Sequence, residues 1–390
     1  MPASSDFFEQ RNPQAVLKHG VLTRYAHYFA GRAGRATKGR VAFIDGYAGE
    51  GRYEDGNPGS PLLLASQASQ AEVLGRDVRL AFVEQDDARR ERLSKSLEEH
   101  HVVPDQLAGG GFQDVIDDLL SRYQDRAVLL FVDPFGLAAD KQTLVRILRS
   151  SSSKRPIDVL YHFSLLTVAR MGRAGILDGP AGEWNSAQLD SALGCVGWRD
   201  DFDMAIGPGA PTEAAIATAK RFGDSIMMET EMRSTAVPVR QRPDQLPKYL
   251  LMLISNDKKA HWDFADVSGN AYMDWLHHCD TEDFKANMRL NERYGVQQLF
   301  QDEAPRLEDV AKELQIEANE YLPTHLSCLL KQRAFIRPVD AIEDVYGMML
   351  GRARTTHVRA AIKSLYAAGE VDDNGSRDFW MREIKWTGTA

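Results

Sequence analysis

The stretch VAFIDGYAGEGRYEDGNPGSPLLLA, from Val41 to Ala65, decides the fold. An apolar run ends on Asp45 and passes at once into small residues, Gly46, Ala48, Gly49 and Gly51, with Tyr47 among them. A short apolar run that stops in glycine reads as a buried strand, and small residues let backbone approach a ligand with no side chain in the way. Ser60 and Pro61 then predict an N-cap and first helical turn. A strand, a glycine-lined turn and a helix entered late make the first half of a βαβ unit, whose cleft lies outside the carboxyl end of the strand.

The same alternation continues on both sides. RLAFVE at 79–84, AVLLFVD at 127–133 and DVLYHFS at 158–164 read as further buried strands. Leu62 to Leu74, Asp87 to His100 and Phe112 to Tyr123 carry apolar positions at helical spacing between them. Together they predict a doubly wound, Rossmann-like α/β sheet, mostly parallel, with right-handed crossovers. Residues 165–245, rich in Met, Ala, Gly and charge, predict a mostly helical insertion. KYLLMLISN at 248–256 and HWDFADVS at 261–268, separated by DKKA, predict an antiparallel terminal hairpin. From Leu307 compact helices follow, then RTTHVRAAIKSLYAAGEV and a hairpin turning at Asn374-Gly375, the closing half of a winged helix-turn-helix. The expected organisation is a cofactor-binding domain over 1–164 and 246–300, the insertion over 165–245 and a winged helix-turn-helix domain over 301–390.

Composition excludes several classes. The chain of 390 residues is 43% hydrophobic and 26% charged, enough to bury a core and too apolar for a disordered chain. Its three cysteines, Cys195, Cys279 and Cys328, are far apart and lack CxxC spacing, which argues against a disulfide framework or a zinc site, so no metal is expected. No apolar run approaches the roughly 20 residues needed to cross a bilayer, and the expected location is cytoplasmic. A net charge of -9 gives no global attraction to phosphate, so nucleic-acid binding would require a local basic patch.

The candidate site residues sit at the strand tips. Asp45 in D-G-Y-A-G-E-G departs from the dinucleotide fingerprint: its charge would repel a pyrophosphate and suits the cationic amino-acid part of S-adenosylmethionine. Glu84, with Gln85 beside it, ends the second strand, where an acid accepts hydrogen bonds from both hydroxyls of a ribose. Either acid alone is as well read as an ordinary turn or a solvated strand end; the two in register favour the cofactor. A nicotinamide-dependent oxidoreductase would use the same Glu84, and a non-enzymatic winged-helix regulator or scaffold would use the α/β domain as a small-molecule sensor. Both stay open.

Asp133 closes the strand AVLLFVD and is followed by Pro134, which forbids further pairing, and Phe135. In amino-methyltransferases an acid or amide, a proline and an aromatic stand here. The target amine donates its protons to the side chain and to a backbone carbonyl, and the aromatic stacks on the base. On that reading Asp133 is catalytic, the Pro134 carbonyl is the second acceptor and Phe135 the stacking face. The aromatic comes third in DPFG, not fourth as in the usual tetrad, and a strand-ending Asp-Pro turn is the alternative.

DFFEQRNPQAVLKHGVLTRYAHYF at the start, FIDGYAGEGRYEDGNPGSPLLLA, FVEQD, FVDPFGL and a terminal winged helix together resemble the three-Cys-motif partner family, TcmP, over nearly the whole chain. The resemblance implies an S-adenosylmethionine-dependent methyltransferase encoded beside a radical-chemistry-like protein bearing three cysteines, and so implies that protein as a partner. AVLKHGVL at 15–22 is also similar to the N-terminal segment of ribosomal-RNA adenine-N6 methyltransferases related to competence proteins. That similarity implies Lys18 at the methionine carboxylate and His19 in the same cleft, where the residues alone read as the wet face of an amphipathic helix. By the same resemblance Phe112, Gln113 and Asp114 would touch the adenine ring, although Gly111 replaces the expected acid; a helix N-cap by Gln113 or Asp114 is the alternative. His162 at the fifth strand tip reads as a core histidine. Arg352, Arg354, Arg359 and Lys363 on the last helix would contact phosphates or form a solvated face. The expected function is methyl transfer to a base amine of RNA or DNA, together with the three-cysteine partner.

Overall fold

A computed structural model describes residues 13–53, 56–134, 136–137, 139–177, 179–205, 207, 209–294 and 304–388. In chain order its elements begin with α1 (Pro13–Arg32), β1 (Arg40–Asp45), α2 (Ser60–Val73), β2 (Asp77–Val83), α3 (Asp87–Glu99) and β3 (Gln106–Ala108). There follow α4 (Phe112–Arg122), β4 (Ala127–Val132), α5 (Lys141–Arg149), β5 (Ile157–Phe163), α6 (Leu165–Gly175), α7 (Pro180–Leu193), α8 (Trp198–Asp203) and α9 (Ala210–Thr230). The chain then forms β6 (Arg233–Val239), β7 (Tyr249–Ser255), α10 (Lys258–Tyr294), α11 (Leu307–Arg333), β8 (Phe335–Ile336), α12 (Ile342–Tyr346), α13 (Thr355–Ala367) and β9 (Ile384–Lys385). Two compact units result, one of residues 22–257 and one of residues 1–21 with 258–390. Among the described residues no helix is long and apolar enough to cross a membrane.

The unit of residues 22–257 is built on a seven-stranded sheet ordered β3-β2-β1-β4-β5-β7-β6. β1 to β5 run parallel, while β7 is antiparallel to both β5 and β6. This is the expected mixed α/β sheet. β4 is buried at all six positions, as a strand covered on both faces must be. Asp45 pairs in register with Phe82 of β2 and Phe131 of β4, so the carboxyl ends of the three strands finish level. The chain order reverses between β1 and β4, the place where such sheets open a crevice.

Three details depart from the sequence reading, each for a physical reason. The second strand of the antiparallel pair is β6, not HWDFADVS. Thr235, Val237 and Val239 alternate inward along β6, but Pro238 in its interior hides the pattern; proline is tolerated there because β6 is an edge strand. HWDFADVS lies inside α10. His261, Trp262, Phe264, Ala265, Val267 and Ser268 are all buried, so the segment has no wet face to reveal a helical period. Finally, the N-cap of α2 is Gly59, one residue before the expected Ser60. Its N–H donates to the Gly51 carbonyl at 2.8 Å, which ties the helix start to the glycine loop.

At the amino edge of this sheet a buried polar cluster holds the second half of α1. The Asp158 carboxylate of β5 accepts from the Tyr25 hydroxyl at 2.6 Å, from the Ser255 hydroxyl at 2.6 Å and from the Arg32 guanidinium at 2.6 Å. Arg32 also pairs with Asp257. A buried charge satisfied from every side costs little to keep and much to break. Asp158→Asn is expected to destabilise the protein by roughly 3 kcal/mol in urea unfolding, because Arg32 loses its buried counter-charge. A loss under about 0.5 kcal/mol would contradict the account.

The second unit packs α10 to α13 and the β8/β9 pair around Trp262, Leu322, Leu326, Tyr346, Phe379 and Trp380. Trp262 stacks on Trp380 at 5.8 Å, and the Asp266 carboxylate accepts from the Thr355 N–H at 2.7 Å at the start of α13. The chain turns at Gly375 (φ +66), whose N–H bonds to Asp373, and residues 370–372 pair antiparallel with residues 385–387 across a wide loop: the Thr387 N–H donates to the Glu370 carbonyl at 2.8 Å. β8 pairs with β9, Val371 bridges Trp386, and the chain between loops out because Phe379 and Trp380 are drawn into the core.

His357, in the first turn of α13, is 2% exposed, and burial, with Arg354 nearby, pushes its pKa down from 6.5 to about 4. The folded protein therefore keeps His357 neutral while the unfolded chain protonates it. This contribution to stability is complete above pH 6.5 and is lost as pH falls from 6.5 towards 4. Substituting His357→Gln should flatten the pH dependence of unfolding across that window, removing a slope worth roughly 3 kcal/mol in total. An unchanged slope would contradict the assignment.

Candidate functional site

The Gly46–Gly51 loop is pinned from both neighbouring strands. The Gly46 N–H donates to the Phe131 carbonyl of β4 at 2.9 Å, and the Ala48 N–H to the Val83 carbonyl of β2 at 2.9 Å. The Gly49 N–H donates to Glu84 Oε2 at 2.9 Å, while Glu84 Oε1 accepts from the Asp86 N–H at 2.9 Å. One carboxylate thus bridges the loop after β1 and the turn after β2. Glycine is required at two of these places. Gly49 has φ +63, and a Cβ on Gly46 would lie 2.7 Å from the Phe112 ring.

Outside the tips of β1 to β3 lies a cleft of about 710 Å³, within the range of small-molecule sites. Gly46, Tyr47, Glu84, Gln85, Gly110 and Phe112 line it, with Asp86, Asp87 and Arg89 at its α3 side. Tyr47 and Phe112 form a tilted aromatic pair at 5.4 Å. Burial, and then the charge of Asp140, raise the Tyr47 pKa, so the phenol stays neutral. An ionised carboxylate offers about four acceptor positions, of which Glu84 spends two on backbone; the others can take hydroxyl donors.

The sequence-predicted residues divide accordingly. Gly46, Tyr47, Glu84, Gln85 and Phe112 meet at the cleft. Asp45, fully buried, accepts from the Tyr47 N–H at 3.1 Å and shapes the loop from below, as Ala48 and Gly49 do through their bonds to β2. Gly51 (φ +79) is a packing position: a Cβ there would meet Leu93 of α3 at 2.9 Å. Gln113 does not line the cleft; its amide donates to Asp140 at 3.1 Å, and the N-cap of α4 is Gly111 rather than Gln113 or Asp114. Lys18 is half-buried and His19 is 1% exposed on α1, so the wet-face reading fails for His19.

Asp133 stands partly exposed at the end of β4 and Pro134 is buried; Phe135 lies outside the described residues. His162 Nδ1 is 3.5 Å from Asp133 Oδ1, a neighbour that the apolar setting of DVLYHFS concealed. Sequence reasoning also missed Asp86, Asp87 and Arg89, which read as the ordinary polar start of a helix. Of the basic set, Arg352 pairs with Glu317 at 2.6 Å, Arg359 lies over the Phe379 ring at 5.7 Å and Arg354 is half-buried, while Lys363 is exposed. Among the described residues no cluster of three or more His, Cys, Asp or Glu is arranged to hold a metal.

No family model matches the chain, and no curated protein matches it. Among solved structures, the plantazolicin methyltransferase BamL, in complex with a triazolic desmethylPZN analog and SAH, is similar at 9% identity and a TM-score of 0.33. A Legionella pneumophila protein of the DUF519 family is similar at 13% identity and a TM-score of 0.34. Each superposition covers 63% of this chain and 85% of the other. Likenesses this loose carry no conclusion about chemistry.

Replacing Glu84 by glutamine turns one acceptor oxygen into a donor that faces a backbone N–H. Hydrogen exchange at Gly49 or Asp86 should then accelerate about tenfold or more, which mass spectrometry of the 46–51 and 84–88 peptides would read. Unaltered protection in both would mean that Glu84 does not hold the loop.

Proposed function

We propose that the chain is an S-adenosylmethionine-dependent methyltransferase acting on a base amine of RNA or DNA. The observation that carries the reading is the charge of the cleft: three carboxylates, Glu84, Asp86 and Asp87, against one guanidinium, Arg89. Such a lining disfavours a pyrophosphate and favours a cationic, phosphate-free nucleoside. α2 does not follow the glycine turn directly, so it offers no helix start at the place where a dinucleotide's phosphates would sit.

The residues present fit that cofactor. Glu84 would take the ribose hydroxyls, Tyr47 or Phe112 would lie against the adenine, and the small residues at Gly46 and Gly49 would admit the amino-acid portion. Lys18 as a ligand of the carboxylate and a three-cysteine partner rest on the sequence segments that carry the resemblance, and a cytoplasmic location on the apolar-run and cysteine pattern. The cofactor, when bound, supplies a methyl group already activated by its sulfonium. The chain's own task is alignment: Asp133 and the Pro134 carbonyl would accept hydrogen bonds from the acceptor amine and fix its lone pair towards the cleft.

Calorimetric titration should give binding of S-adenosylmethionine and of its demethylated product, and none of nicotinamide dinucleotide. Glu84→Ala should weaken that binding at least about tenfold, the worth of a lost charged hydrogen bond. Asp133→Ala should leave affinity within about threefold while lowering methyl transfer about 100-fold or more. Tight binding of the dinucleotide alone would overturn the proposal.

A further inference from the structure

His162 is a titratable group at the carboxyl edge of the sheet that the cleft itself does not use. It precedes the last residue of β5, beside the end of β4, with its Nδ1 at 3.5 Å from Asp133 Oδ1. That spacing is an ion-pair contact, longer than a well-formed hydrogen bond. From β7 the Tyr249 ring lies 4.1 Å away, centroid to centroid, tilted by 57°. The imidazole therefore lies against a carboxylate and an aromatic ring, and the charge of the carboxylate favours its protonated form. The two side chains are 14% and 20% exposed, with the Nδ1 that faces Asp133 itself buried.

We infer that Asp133 and His162 act as a proton-accepting pair, Asp133 touching the acceptor nitrogen and His162 holding the proton that methylation releases. This rests on the methyltransferase reading above and narrows its substrate to a neutral N–H nucleophile that cannot keep its proton. The nitrogen lone pair forms the new bond to the methyl carbon. The methyl–sulfur bond breaks, and its electron pair stays on sulfur, which changes from sulfonium to neutral thioether. The nitrogen, now cationic, gives up one proton. A lone aspartate, with an ordinary pKa of about 3.9, is a poor final holder; an imidazole near 6.5 is a better one at neutral pH. Passing the proton through Asp133 leaves an imidazolium beside a carboxylate, and water then takes it before the next turnover.

Two measurements on the full chain test this. First, NMR titration of the ten histidines, with His162 assigned from His162→Gln, reads the pair without any cofactor. Its apparent pKa should fall by about one unit or more in Asp133→Asn, the scale of losing a close opposite charge. An identical titration in both proteins would overturn the pair. Second, label transfer from S-adenosylmethionine to bulk unmodified RNA and DNA should fall about 10- to 100-fold in kcat for His162→Gln, with KM and cofactor affinity within about threefold. Added imidazole should restore part of the rate of His162→Ala. A normal kcat in His162→Gln, or a loss confined to KM, would overturn the role. Failure of the cofactor to bind would sink the methyltransferase reading instead, leaving the histidine titration to stand by itself.

Discussion

The site depends on one carboxylate doing two jobs. Glu84 is 7% exposed, and each of its oxygens accepts a backbone N–H, from Gly49 across the sheet and from Asp86 in its own turn. Without an acceptor there, the N–H groups of half-buried Gly49 and exposed Asp86 would each lose a charge-assisted bond worth about 1 kcal/mol net. With it, the loop after β1 and the start of α3 are fixed relative to each other, and the carboxylate that fixes them lines the cleft. Preorganisation of this kind lowers the ordering that a ligand must bring about on binding.

The supports of that arrangement are spread along the chain. Gly46 must be small because Phe112 presses against it, and Phe112 is placed by α4, which leaves β3 through three glycines. Gly59 starts α2 by bonding back to Gly51, so the helix cannot begin earlier and the loop stays long. At the opposite edge of the sheet, Asp158 ties Tyr25, Arg32 and Ser255 together and holds α1 to β5 and β7. Rigidity at one edge and openness at the other follow from the direction of the parallel strands.

Much of this was legible in the sequence. β1, β2, β4 and β5 and the helices α2, α3 and α4 fall within a residue or two of their expected bounds, because parallel strands buried on both faces write continuous apolar runs and amphipathic helices write a period. Asp45 and Glu84 were visible as acids where an apolar run stops. What stayed hidden was whatever tertiary packing overrides locally. β6 was masked by Pro238, the start of α10 by burial of residues 261–268, and the hairpin about Gly375 is widened by the burial of Phe379 and Trp380. The pairing of His162 with Asp133 could not be read, since adjacency of β4 and β5 tips brings together residues 29 apart in sequence, by the difference of their numbers. The bond from the Gln113 amide to Asp140 was hidden for a similar reason, since the two residues are far apart in the chain.

The central claim is that Glu84 and the glycine loop form a seat for a phosphate-free sulfonium nucleoside. A crystal structure of the chain grown with S-adenosylhomocysteine tests it most directly. The account predicts the ribose hydroxyls within hydrogen-bond distance of the Glu84 carboxylate and the adenine against Tyr47 or Phe112. A ligand bound elsewhere, or a Glu84 side chain turned away from the ribose, would contradict it.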